Sequence, residues 1–109
     1  MKNPLEAPEV YIVETTCGSQ EEANTLGRAL VEQGNCACCH FVPIRSCYRW
    51  EGAVHESEEI LLRLKVLKPN LEQVLVFIKR HHPYKVPELM VGCVSCHNPS
   101  YFRWLEEGT

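Results

Sequence analysis

Apolar and polar positions along this chain follow two periods, and the switches between them mark its elements. Positions 10–16 (VYIVETT) are β-branched and aromatic and read as a strand. Ser19 followed by Glu22 spells a capping box. Ala23, Leu26, Gly27 and Leu30 then recur at helical spacing until Gly34 and Asn35 stop the helix. From Cys36 the pattern turns extended, with a tip at Glu51-Gly52 and a return over positions 54–67 in which Ile60, Leu62, Leu64 and Val66 hold period two. This predicts a long hairpin. Pro69-Asn70 opens a second helix with Leu71, Val74, Leu75 and Ile78 on one face, ending before Pro83 because the residue ahead of a proline avoids helical geometry. Positions 88–94 (ELMVGCV) predict a fourth strand. Asn98 and Pro99 begin a short helix carrying Tyr101, Phe102, Trp104 and Leu105.

The order βαββαβ with a terminal helix predicts an α+β, ferredoxin-like sandwich, its two main helices on one face of a four-stranded antiparallel sheet. It forms one domain over residues 1–109, with an ordered core over about 9–106. Each hairpin arm, at about 14 residues, extends roughly 45 Å, whereas a helix of about 16 residues covers only about 24 Å. The helices therefore cannot roof the hairpin. Tyr48, Trp50 and Leu61 are left needing a second surface, which predicts an oligomer whose hairpins pack on neighbouring subunits.

Composition narrows the function classes. With 45% hydrophobic and 23% charged residues in 109, the chain can bury a core and is not a disordered tail. Eleven Lys and Arg against fourteen Glu, with no Asp, leave a formal charge of −3, which argues against nucleic acid as a partner. No apolar run approaches the length of about 20 residues that spans a bilayer. Residues 1–10 (MKNPLEAPEV) carry Pro4, Glu6, Pro8 and Glu9 where an export signal would be apolar, so a cytoplasmic location with mostly reduced thiols is expected. The seven cysteines, an odd number, are then free thiols and not a disulfide framework.

One set of residues carries a family likeness. Ser46-Cys47-Tyr48-Arg49-Trp50-Glu51-Gly52, then Glu59 with Leu61, Leu62 and Lys65, then His82-Pro83-Tyr84-Lys85-Val86-Pro87-Glu88, and finally Tyr101 with Trp104 resemble the CutA divalent-cation tolerance family. The resemblance spans about Val10 to Leu105 in uninterrupted order. It implies a ferredoxin-like homotrimer with a role in tolerance to copper and other divalent metals, and no established enzymatic reaction. Family members that coordinate copper close the first strand with a cysteine. Here Thr15 takes that place and Cys17 follows two residues later, while Cys38 and His82 match positions of the family pattern.

The candidate metal ligands are accordingly Cys17, Cys38 and His82, because thiolate and imidazole suit copper. Packing is the competing role for each cysteine, since unpaired cysteines behave as small buried hydrophobes. His82 at a helix C-terminus equally serves a structural turn. Cys36, Cys38 and His40 share one face by period two, with Cys39 opposite. Cys93-Val94-Ser95-Cys96-His97 spells a c-type haem attachment string, but haem is not expected without export, and residues three apart in a strand face opposite ways. A phosphate-cradling loop, a nucleophile elbow and a zincin motif are all absent from the sequence, and no enzymatic activity is expected. The second expectation is a sensor of the trimeric PII type, binding a small molecule in inter-subunit clefts lined by Tyr48, Trp50, Glu59, Lys65, Tyr84 and Trp104.

Overall fold

The computed structural model describes residues 6–109, so residues 1–5 of the stretch read for an export signal lie outside the described residues. The elements run β1 (Glu9–Cys17), α1 (Gln20–Glu32), β2 (Cys38–Trp50), β3 (Ala53–Val66), α2 (Leu71–His81), β4 (Met90–Ser95) and α3 (Pro99–Glu107). The sheet has strand order β2-β3-β1-β4 with every pair antiparallel, the α+β arrangement expected from the element order.

Each helix starts and stops for a local reason. Ser19 Oγ accepts the Glu22 amide at the N-terminus of α1. Gly34, with φ of 75°, supplies the left-handed turn that follows. A 3-10 turn over Lys68–Asn70 leads into α2, which ends at His81, two residues before Pro83, with His82 already extended. Asn98 Oδ1 accepts the Ser100 amide to cap α3.

Period two divides the sheet into two faces. Val13 and Cys17 of β1 and Leu62, Leu64 and Val66 of β3 point under the helices and meet Ala23, Leu26, Leu30, Val74 and Ile78 in one core. Gly27 permits the close approach of α1 to β2, since a Cβ there would lie 2.9 Å from both Cys39 Sγ and Phe41 Cε1. The opposite, open face carries the Arg63–Glu14 ion pair at 3.4 Å.

Glu51 and Gly52, both at positive φ, close the hairpin with a two-residue turn. The hairpin gives the molecule its long axis of 54 Å. Toward its tip Tyr48 and Trp50 are 43% and 46% exposed, because even positions of β2 lie on the face of the sheet opposite the helices.

Two boundaries differ from the sequence expectation. Cys36 belongs to the connection before β2 and is fully buried, so it does not share a face with Cys38 and His40; that trio is split. Cys39 packs on the helix-side core instead. β4 begins at Met90 rather than at 88, because the Thr15 hydroxyl holds the Glu88 carbonyl at 2.6 Å and keeps the chain in a loop until that point.

Candidate functional site

The end of β1 organises the chemistry. Its last rung pairs Cys17 with Ile60, so Glu59, the residue before Ile60 on β3, stands beside no β1 residue. The loop between α2 and β4 fills that gap. Tyr84 passes over Gly18, where a Cβ would lie 3.1 Å from its hydroxyl, and donates to Glu59 Oε2 at 2.8 Å. Thr16, Tyr48, Trp50, Glu59, Tyr84 and Glu88, with Lys85 and Val86, line a cavity of about 350 Å³ on the open face. Tyr48 and Trp50 reach it because even positions of β2 share a face with Glu59 of β3.

The cavity is acidic and aromatic. Burial, then the bond to Glu59 and that carboxylate's negative charge, push the Tyr84 phenol well above its ordinary 10. Burial, then the charges of Glu14 and Glu59, raise the Glu88 carboxyl above its ordinary range.

His82 lies directly behind this wall, 9% exposed. Its Nε2 sits 2.9 Å from the Thr16 carbonyl, and its Nδ1 receives the Tyr84 amide at 3.0 Å. A carbonyl only accepts and an amide N–H only donates, which assigns the proton to Nε2 and leaves the ring neutral. Burial lowers the His82 pKa in the same direction. Cys17 Sγ is 4.0 Å from Nε2 and fully buried. Burial, followed by the charges of Glu22 and Glu59, pushes its thiol up to about 11.

Of the three expected metal ligands, the structure brings two together. Cys38 pairs with Lys65 and Cys17 with Ile60, five positions apart on β3, or about 17 Å at strand rise, and on opposite faces. Among the described residues no group of three or more Cys, His or Glu side chains is placed to hold a metal ion.

Within one chain the six residues expected along inter-subunit clefts form two groups. Tyr48, Trp50, Glu59 and Tyr84 line the cavity just described. Lys65 instead donates to the Tyr101 hydroxyl at 2.7 Å, with its ammonium 4.8 Å from the ring centroid, and Trp104 stacks on Tyr101 at 5.6 Å. That group anchors α3. Thr16 and Glu88 are cavity residues the sequence reasoning did not select; Glu88 stood within the H-P-Y-K-V-P-E string, whereas nothing in the sequence marks Thr16.

Of the haem-like string, Cys93 is exposed within β4, and Cys96, just past its end, is held by its amide on the Pro8 carbonyl at 2.8 Å. His97 Nε2 meets Ser95 Oγ at 2.8 Å.

Residues 11–108 match the family described as CutA1 divalent ion tolerance protein. The chain belongs to the CutA1 family. It is 38% identical over 99 residues to the divalent-cation tolerance protein CutA of Thermus thermophilus, a match covering 90% of this chain and 96% of that one. The CutA1 structure from that organism superposes with a TM-score of 0.84 over 94% of this chain and 99% of the other. CutA1 from Pyrococcus horikoshii, 33% identical, gives a TM-score of 0.87 over 91% of this chain and 97% of that one. The mouse protein CutA is 33% identical over 86% of this chain, which spans about half (54%) of the mouse protein's length. No helix among the described residues of this CutA1 chain is long and apolar enough to cross a membrane.

Proposed function

We propose that this chain serves divalent-cation tolerance as a cytoplasmic homotrimer, a binding protein and not an enzyme, whose ligand occupies the cavity bounded by Tyr48, Trp50, Glu59, Tyr84 and Glu88. The observation carrying this reading is the Tyr84–Glu59 bond, which closes one wall of an aromatic and acidic cavity beside the uncovered part of the hairpin. Such a cavity, apolar with a few convergent polar groups, is the ordinary form of a small-ligand site. Oligomer formation is supported by the exposure of Tyr48 and Trp50, which a neighbouring subunit would cover.

The geometry favours the sensor-like reading over copper chelation. Cys17, Cys38 and His82 do not meet, and the imidazole that approaches Cys17 has both ring nitrogens engaged by backbone groups. The residues of one chain therefore do not fit a soft metal ion as found. The carboxylate, phenol and hydroxyl oxygens of Glu59, Glu88, Tyr48, Tyr84 and Thr16 along the cavity suit a small organic ligand or a hard divalent cation.

A thermal-shift screen of divalent metals, nucleotides and small metabolites tests the reading, with Glu59→Gln as the control. A ligand of the cavity stabilises the wild type, and its effect shrinks in the variant. Stabilisation that is equal in both proteins places the ligand elsewhere and contradicts the proposal.

A further inference from the structure

We propose that in this chain Cys17 and His82 do not form a metal site: His82 is a latch that positions Tyr84 on Glu59, and Cys17 is the packing surface behind it. The latch does not depend on what the cavity binds, whereas the want of a metal site at Cys17 and His82 is shared with the proposed function.

Three bonds fasten the segment from His82 to Glu88 onto the strands. His82 Nε2–H donates to the Thr16 carbonyl at 2.9 Å, the Thr15 hydroxyl donates to the Glu88 carbonyl at 2.6 Å, and the Tyr84 hydroxyl donates to Glu59 at 2.8 Å. The imidazole links the first to the third. Its Nδ1 accepts the Tyr84 amide at 3.0 Å, and the two rings lie 4.9 Å apart at 54°. Tyr84 is thus fixed at its backbone by His82 and at its hydroxyl by Glu59, with Gly18 leaving room between.

A metal ion could reach this ring only by displacing one of its partners. At Nδ1 it would take the place of the Tyr84 amide. At Nε2 it would strip the Thr16 carbonyl of its donor in a site with little water. Cys17 is fully buried against the ring, its Sγ 4.0 Å from Nε2, and leaves no space between the two for an ion without moving one of them. A third ligand is missing as well, because Cys38 faces away on the opposite side of the sheet. A neutral ring with both nitrogens spoken for is the signature of an orienting residue. In metal sites, by contrast, one nitrogen is left for the ion.

Amide exchange and nitrogen chemical shifts by NMR on the reduced full-length protein test the latch. In the wild type the Tyr84 amide is protected, the His82 ring shows the neutral Nε2–H tautomer, and stoichiometric zinc or copper(I) leaves its nitrogen shifts unchanged. His82→Asn keeps an acceptor at the position of Nδ1, so Tyr84 protection survives. His82→Gln puts its amide at the position of Nε2 and loses that acceptor, so the Tyr84 amide exchanges about tenfold faster while the Val13 and Leu64 amides do not change. Three outcomes overturn the proposal. One is a metal-induced shift of the His82 nitrogens that Cys17→Ser abolishes. Another is an unprotected Tyr84 amide in the wild type, and the third is equal loss of protection in both variants.

Discussion

The Tyr84 hydroxyl donates to Glu59 Oε2 at 2.8 Å and so joins the loop after α2 to the stretch of β3 that runs past the end of β1. The bond favours the protonated phenol, and its loss is readable in alkali. A phenol whose pKa is raised above its ordinary 10 contributes stability that is fully present below that pH. That stability is lost as pH climbs through the folded-state value, because the unfolded chain releases the proton first. Urea midpoints are therefore expected to fall more steeply above about pH 10 in the wild type than in Tyr84→Phe. Near pH 7 the same variant costs about 1 kcal/mol.

Gly27 is where α1 presses closest on β2. Gly27→Ala would place a methyl 2.9 Å from Cys39 Sγ and the Phe41 ring, forcing one of them to move. Despite the better helix propensity of alanine, the expected net cost is about 1–3 kcal/mol from overpacking. Denaturant unfolding at fixed protein concentration measures it; an unchanged or raised midpoint would show that the contact yields freely.

Five of the seven thiols fall into two reactivity classes. Cys17 and Cys36 are fully buried with pKa values raised to about 11, and Cys39 is raised to about 12, burial being the first cause in each. Cys47 and Cys93 are exposed. Brief alkylation of the native protein at neutral pH should label Cys47 and, more slowly, Cys93, whose thiol is raised by desolvation and then by the Glu9 carboxylate, and leave Cys17, Cys36 and Cys39 unmodified until the chain is denatured. Mass-spectrometric peptide mapping reads the pattern directly. Rapid native labelling of Cys17 would contradict the packing assigned to it.

Lys65 belongs to the attachment of α3 and not to the cavity. Replacing it with methionine removes the bond to the Tyr101 hydroxyl and the cation over that ring, at an expected cost of about 1 kcal/mol for this part-buried pair. Hydrogen exchange should quicken in α3 and remain unchanged at Tyr84. Faster exchange at both would place Lys65 in the cavity wall after all.

What could be read from the sequence was whatever depends on local pattern. Ala23, Leu26 and Leu30 face the core at helical period, Leu62, Leu64 and Val66 at period two, and Glu51-Gly52 makes the turn at the hairpin tip. Cys36 escaped, because its burial is decided by how the chain enters β2 from α1. The start of β4 escaped because a single hydroxyl, that of Thr15, holds the Glu88 carbonyl across a separation of 73 residues. In the site, aromatic and acidic side chains were visible within their motifs. The role of His82 was not, since its partners are the Thr16 carbonyl and the Tyr84 amide, backbone groups that every residue carries. Nor could Cys17 and Cys38 be separated without the register that places them five positions apart on β3.

Native mass spectrometry of the reduced protein with added copper reports both assembly and metal load in one spectrum. The expected species is a trimer that carries no stoichiometric copper at about micromolar metal, with Cys17→Ser and His82→Asn indistinguishable from the wild type. A monomer, or one copper per chain that disappears in Cys17→Ser, would contradict this expectation.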